Sequence, residues 1–364
     1  MKILLSGFCL LSFLSLSAQD SLTILFAGDA MMHQKQLDNT RRGDFFDLDS
    51  YFANIEREVK AVDIAVVNFE VPLGGEPYSG YPAFSAPENF ALALQKAGFD
   101  FFLLANNHCL DRRTRGLVRT IQALDSLGIR HTGTFLDCDH RHRTYPMLLR
   151  KKDFRIIMLN YTYGTNGLKV DIPRIINYID KEIMKGDIAE AKLFNPDFII
   201  ANMHWGLEYE RIPSREQREQ RELADWLMRQ GVDLVIGSHP HVVQPMELRR
   251  GKEGVTDRLV VYSLGNFISN MSREHTDGGV MVKVVLGRKG LRRYIVSAQY
   301  SLIYSSRYKN EQGKEDIRVV PAASWLGKNQ NSSFSVDSAL IKYVNNTRLF
   351  LKSNNKEVEE YIFE

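Results

Sequence analysis

Apolar residues along this chain alternate between two periods. Short β-branched runs, the pattern of strands buried on both faces, are separated by stretches in which apolar residues recur every three to four positions, the spacing of one helix face. The pattern predicts strands at 22–27, 63–68 and 100–105. Between and after them it predicts helices at 49–62, with Phe52, Ile55, Val59 and Val62 on one face, at 88–97, and at 115–127. Leu117, Ile121, Leu124 and Leu127 share a face of the last, and Gly128 is its C-terminal stop. A hairpin at 145–150 and 154–160 comes next, turning at Lys151-Lys152-Asp153. The rhythm resumes with helix 175–191, strand 197–202, helix 214–229 and strand 233–236. Beyond His241 the pattern is all strand, at 242–249, 258–263, 279–286 and 292–303. A polar tail from Tyr304 ends in an amphipathic helix at 336–351. Alternating strands and helices imply a right-handed, largely parallel sheet flanked by helices. The expected organisation is one α/β domain over 22–305 with an antiparallel second half, then an appendage of unknown role over 306–364.

Composition narrows this little. The chain has 364 residues, 44% of them hydrophobic and 25% charged, with net charge +3, which shows neither a nucleic-acid footprint nor an acidic tail. The N-terminus says more. Lys2 precedes an apolar run at 3–16, and small residues at Ser15, Ser17 and Ala18 suit cleavage, so 1–18 reads as a secretory signal peptide. The run falls short of the ~20 residues a membrane-spanning helix needs, and no later segment is apolar enough. The expected location is the periplasm, the cell surface or the extracellular space. Cys109 and Cys138, which remain after cleavage, make no disulfide framework and lack zinc-site spacing; both read as reduced, buried thiols.

The chemistry gathers at strand ends, where open α/β sheets bind ligands. These ends are Gly28-Asp29-Ala30-Met31, Asn68-Phe69-Glu70, Ala105-Asn106-Asn107-His108 with Asp111 beyond, Met203-His204 with Glu208 and Tyr209 beyond, and Gly237-Ser238-His239-Pro240-His241. One polar strand end is ordinary turn chemistry; five together point to a shared site. In the last of them an extended backbone would aim residues i and i+2 to one side, Pro240 biases His239 toward that geometry, and Gly237 lets the chain turn. Carboxylates, an amide oxygen and imidazoles without a thiolate suit a divalent transition metal such as Mn, Zn or Fe. Two ions spaced roughly 3.5–4 Å apart would need a bridging carboxylate.

Six ordered stretches, GDAM, NFE, ANNHCLD, HWGLEY, DLVIGSHPHVVQ and YSLGNF, between about Thr23 and Phe267, resemble the capsule-synthesis CapA family. That family is associated with poly-γ-glutamate and capsule production and is distantly similar to calcineurin-like metallophosphoesterases. The resemblance implies a layered α/β sandwich with a mixed sheet. It implies metal ligation by Asp29, Glu70, Asn107, His204, His239 and His241. Asn107, His204 and His239 would serve one ion, Asp29 and His241 another, with Glu70 between. His108 would contact substrate as an acid, while Asp111 and Glu208 would orient imidazoles or add ligands. Two departures stand out: Met31 where phosphoesterases carry a histidine, and Glu70 in place of a bridging aspartate, so one ion or two are both open. The implied function is an exported hydrolase or transferase acting on a phosphoester or amide bond of an anionic extracellular polymer, in company with capsule synthesis and export proteins. The alternative is a non-catalytic accessory that binds such a polymer.

Other residues carry less. Arg41-Arg42 reads as an exposed basic turn or an anion contact, and 77–87 as a rigid connector or polymer groove. Trp205 reads as packing, and Asn266 as a group returning beneath the site. His33, His131, His140, His142 and His275 read as solvated or structural.

Overall fold

The computed structural model describes residues 20–211, 215–251, 255–290, 292–309, 313–329 and 338–363. The segment read as a signal peptide and the starts of the helices expected at 214 and 336 lie outside them.

The strands form two large sheets, where the pattern suggested one. In the first, strand Asp20–Ala30 is central. It pairs in parallel with Ile64–Phe69, which continues in parallel to Phe101–Leu103 and Arg130–Thr132. On its other side the sheet turns antiparallel through Gly278–Lys289, Arg292–Lys309 and Glu315–Pro321. In the second sheet Phe154–Thr162, Phe198–His204, Leu234–Ser238 and Thr256–Val261 run parallel. Met147–Lys151 and Met246–Arg250 flank them antiparallel. The expected antiparallel second half is therefore divided between the sheets, and Thr256–Val261 joins its neighbour in parallel.

Period-two alternation explains the layering. Leu22, Ile24, Phe26, Ile64 and Val66 face Phe154, Ile156, Met158, Phe198, Ile200, Leu234 and Ile236 in the core between the sheets. Leu25, Ala27, Ala65 and Val67 point the other way, onto Phe52, Val59, Phe90 and Leu94 of the helical layer. Ile157, Leu159, Ile199, Ala201 and Val235 likewise meet Met184, Ile188 and Leu227 on the far side. The result is helix, sheet, sheet, helix.

Helix Glu88–Ala97 falls where the pattern placed it. The stretch 49–62 instead breaks into Asp49–Phe52 and Glu56–Lys60. The helix expected from 175 begins at Lys181, because the Asp180 carboxylate caps it by accepting from the amides of Glu182 and Ile183. Ile175–Ile176 pairs with Thr134–Phe135 instead. The boundary expected near 305 falls inside strand Arg292–Lys309. Helix Ser338–Asn354 buries Leu340, Tyr343, Val344 and Leu351 in the inter-sheet core, and Glu359–Glu360 pairs in parallel with Gln299–Tyr300, so the last segment is built into the sheet. Cys109 is buried as expected, but Cys138 is exposed. Among the described residues no helix is long and apolar enough to cross a membrane.

Candidate metal centre

The C-terminal ends of the parallel strands of both sheets converge. Asp29 lies in the first strand opposite Asn68 and Asn266, and Glu70 comes just after the second. Asn107 and His108 lie in the turn after Phe101–Leu103. His204 ends its strand in the other sheet, and His239 and His241 come after Leu234–Ser238. All nine are buried.

Asp29 Oδ2 lies 3.0 Å from His241 Nδ1, which is also 3.0 Å from Asn266 Oδ1. The His239 amide donates to the Asp29 carboxylate at 3.3 Å. Asn68 Nδ2 donates to Asp29 Oδ1 at 2.8 Å and to Glu70 Oε2 at 3.3 Å, and stands 3.3 Å from His204 Nδ1. His204 Nε2 is 2.8 Å from Asn107 Oδ1 and 3.5 Å from Glu70 Oε1, while His241 Nε2 approaches the same Glu70 oxygen at 4.0 Å. Two sets of prospective ligand atoms result, each within 4.8 Å of one another: Glu70 with His239 and His241, and Asp29 with Glu70 and His204. Glu70 is common to both, as a bridging carboxylate would be. His239 falls with His241 and His204 with Asp29 in these sets, while the pairings that the resemblance implied are also close: Asp29 meets His241 at 3.0 Å, and the rings of His204 and His239 lie 4.8 Å apart.

Among the described residues, two atoms here are buried without a hydrogen-bond partner, Glu70 Oε1 and His239 Nδ1. Burial, then the charge of Asp29, pushes the Glu70 carboxyl well above the usual range. Burial, then neighbouring imidazoles, holds His204 and His239 well below theirs. At His241 burial works in the same direction, but the hydrogen bond and charge of Asp29 outweigh it and raise the imidazole. Orphaned polar atoms in so dry a place are costly. A cation among two carboxylates and neutral imidazoles would satisfy both, and the donor set fits a divalent transition metal.

His108 stands beside this cluster with Nδ1 2.8 Å from Asp111 Oδ2, an oxygen that also accepts the Phe84 amide at 2.9 Å. Asp111 thus orients His108 and is itself held. Asn107 meets His204 through Oδ1 and donates through Nδ2 to Asn166 Oδ1 at 3.2 Å. Glu208 is exposed at the rim and does not join the cluster.

The two histidines of the 237–241 turn converge by a route other than the expected one. Neither is extended: His239 has φ +98° and His241 φ +59°, left-handed values rare for side chains with a Cβ. Strain of that kind, roughly 1–3 kcal/mol per residue, collects at functional sites. Gly237 does not supply a turn but a close approach. It lies within strand Leu234–Ser238, and a Cβ there would stand 2.0 Å from the Tyr262 carbonyl oxygen and 2.6 Å from Trp205 Nε1. Met31 is buried in the apolar cluster on the helical side, because the strand register shifts at Asp29 and re-aims the residues after it.

Sequence reasoning places Asn68 at a polar strand end but gives it no role, though its spacing of two from Glu70 marks the donor to both carboxylates. It misses Tyr163. That ring lies 4.5 Å from the ring of His239 and stacks at 6.3 Å and 11° on His204, and no sequence pattern marks it. Asn266 does return beneath the site. Trp205 is packing, buried and donating Nε1–H to the Tyr262 carbonyl at 2.9 Å. His33 is structural: its backbone amide donates to Gln36 Oε1 at the start of helix Gln34–Thr40, and its Nδ1 accepts the Asn270 amide at 3.2 Å.

Comparison with known proteins bears on this arrangement. The family model described as "Bacterial capsule synthesis protein PGA_cap" matches residues 23–271. The chain is 28% identical over 287 residues to "Capsule biosynthesis protein CapA" of Bacillus anthracis, covering 74% of this chain and 65% of that protein. It is 27% identical over 291 residues to "PGA biosynthesis protein CapA" of Bacillus subtilis, covering 77% of this chain and 72% of that one. A "probable polyglutamine synthesis accessory protein" of Mycobacterium tuberculosis is 26% identical over 182 residues, 46% of this chain and 44% of its own. Among solved structures, the calcineurin-like phosphoesterase YfkN of Bacillus subtilis aligns with TM-score 0.47 at 14% identity, over 92% of this chain and 99% of that one. The 5'-nucleotidase of Candida albicans aligns with TM-score 0.45 at 9% identity, over 91% and 58%.

Proposed function

This chain belongs to the bacterial capsule synthesis protein family matched over residues 23–271, and from that premise we propose that it is an exported, metal-dependent hydrolase or transferase acting on an anionic extracellular polymer. The observation that carries the reading is Glu70: a fully buried carboxylate with one oxygen unpartnered, common to two triads of imidazole and carboxylate donors. Asp29, Glu70, His204, His239 and His241 would hold the ion. When bound, it would supply Lewis acidity, drawing electron density from a substrate oxygen and from an attacking water.

The rest is done by the chain's own groups. Asp111 fixes His108 through Nδ1 and leaves Nε2 free to give a proton to a departing oxygen or nitrogen. Asn107 and Asn68 meet His204 at its two ring nitrogens; the nitrogen given to the ion would exchange its asparagine contact, and the other contact would fix the ring plane. Burial of the whole cluster excludes bulk water and strengthens each interaction within it. The apolar run at 3–16 supports export, and capsule synthesis and export proteins are the expected company.

One observation favours a second reading. Met31 brings no ligand to the site, as suits an accessory that keeps the cluster to hold a polymer rather than to cleave it. The experiment strips the protein with chelator, reloads it with manganese and measures elemental content and turnover of a chromogenic phosphodiester and of γ-linked glutamate oligomers. One or two equivalents of metal and turnover abolished in Asp29→Asn and His204→Ala are expected. Metal with no turnover selects the accessory reading; metal content below half an equivalent, unchanged in His239→Ala and His241→Ala, overturns both.

A further inference from the structure

A cavity of about 430 Å³ lies beside the buried cluster, walled by the last third of the chain. Arg273 and Glu274 come from the loop before strand Gly278–Lys289, Arg307 from Arg292–Lys309, and Lys342 and Tyr343 from helix Ser338–Asn354. These residues lie beyond position 271, where the family match ends. Tyr209 joins the cavity to the metal centre. The Arg273 guanidinium carbon sits 4.0 Å over the Tyr209 ring, whose centroid is 6.1 Å from that of His241. The Tyr209 amide is tied to the Pro240 carbonyl at 2.8 Å, between the two site histidines.

Arg211, which does not itself line the cavity, adds positive charge close to its wall. Its guanidinium lies 4.1 Å over the Phe350 ring, and its Nε and Nη2 are buried with no hydrogen-bond partner among the described residues. Its charge acts on Glu274 and Tyr343, both in the cavity wall. An arginine left unpartnered in this way is destabilising unless an anion arrives. Nε–H and Nη2–H share one edge of the guanidinium plane, the edge that pairs side-on with the two oxygens of a planar carboxylate. The wall carries two carboxylates, Asp277 and Glu274, against Arg273, Arg307 and Lys342; Glu274 is taken by Lys342 at 3.0 Å, and Glu315, which meets Arg307 at 3.4 Å, is shared with Lys35 at 2.6 Å.

We propose that this cavity is a second subsite, in which Arg273 in the wall, with the charge of Arg211 close by, holds one carboxylate of a linear, carboxylate-bearing polymer while a neighbouring unit lies at the metal centre. The reaction at that centre rests on the function proposed above; binding at the subsite does not. The test is calorimetric titration of the metal-free, full-length protein with a γ-linked glutamate oligomer at low and high salt, and with inorganic polyphosphate. Binding that weakens with salt, and by about tenfold in Arg273→Gln and in Arg211→Gln, is the expected result, the loss of one charge-assisted pair. Arg273 is exposed, so its variant keeps the test sound even where Arg211→Gln fails to fold. Oligomer binding retained in Asp29→Asn while turnover is lost separates the subsite from the metal centre. Equal affinity in wild type and Arg273→Gln overturns the proposal, as does binding of polyphosphate without binding of the glutamate oligomer.

Discussion

Asp29 and His241, 212 positions apart in the chain, meet at 3.0 Å and bind one sheet to the other. Asp29 ends the central strand of the first sheet, and His241 leaves the second sheet just after Leu234–Ser238. With Glu70 on one side and His204 on the other, each set of prospective ligands draws on both sheets and spans the same seam. An ion held there would act on the whole fold.

Metal should therefore raise thermal stability. At a free concentration about a hundred times its dissociation constant, manganese is expected to add roughly 2.7 kcal/mol. Calorimetry of chelated and reloaded protein measures this as a rise of several degrees in Tm. An identical Tm with and without metal, in protein shown to be metal-free beforehand, refutes ligation by this cluster.

Asn68 sits between two carboxylates and donates to both. Asn68→Asp would put a third carboxylate into a fully buried site, lowering the stability of the metal-free protein by about 3–5 kcal/mol. Manganese should restore part of that loss, because the added charge lies beside the cation. Asn68→Leu removes the hydrogen bonds alone, costs about 1–3 kcal/mol and gains no such restoration. Urea titrations of both variants with and without manganese decide the matter.

How far the site was legible depends on which physical rule spoke. The five strand ends were readable because apolar runs mark strands, and the polar residues after them fall at one edge of a parallel sheet. Period two could not say that the strands divide into two sheets, since a strand buried on both faces looks alike in either. The convergence of His239 and His241 was anticipated on the wrong geometry, because left-handed backbone at a histidine is set by tertiary contacts and not by a neighbouring proline. Tyr163 and Arg211 act through partners far away in sequence, Tyr163 against His239 and Arg211 over Phe350, and local pattern does not report such contacts. The supposed appendage looked separate because its polar positions dominate; its few apolar ones, Leu340, Tyr343, Val344 and Leu351, sit on one helix face and are enough to enter the core.

Gly237→Ala tests the close approach beneath the turn. Its Cβ would collide with backbone at Tyr262, which has no rotamer with which to yield. A loss of about 3 kcal/mol is expected, together with a metal affinity weakened by displacement of His239 and His241. Denaturant midpoints and metal titrations of the same variant provide the check, and a midpoint equal to wild type sinks the argument.

His33 makes stability depend on pH. Burial, then the nearby His241 and His108, pulls its imidazole down to about 4 against the opposing hydrogen bond with Gln36. An unfolded histidine titrates near 6.5, so between these two values the unfolded chain binds more protons and stability rises with pH. The stabilisation present above pH 6.5 is thus lost as pH falls toward 4. His33→Gln should flatten the slope of stability against pH in that window relative to wild type. Parallel slopes in urea titrations at several pH values would falsify this.

The strand order has a consequence for biosynthesis. Asp20–Ala30 finds its antiparallel neighbour only in Gly278–Lys289, far later in the chain, and the sheet's outer edge is joined later still by Glu359–Glu360. A ribosome-bound chain therefore carries its central strand unsealed on one edge through most of its synthesis. Contacts this distant in sequence form late and slowly, and they leave apolar surface open to chaperones or to aggregation in the interval. The central strand waits for one made much later to complete its interior.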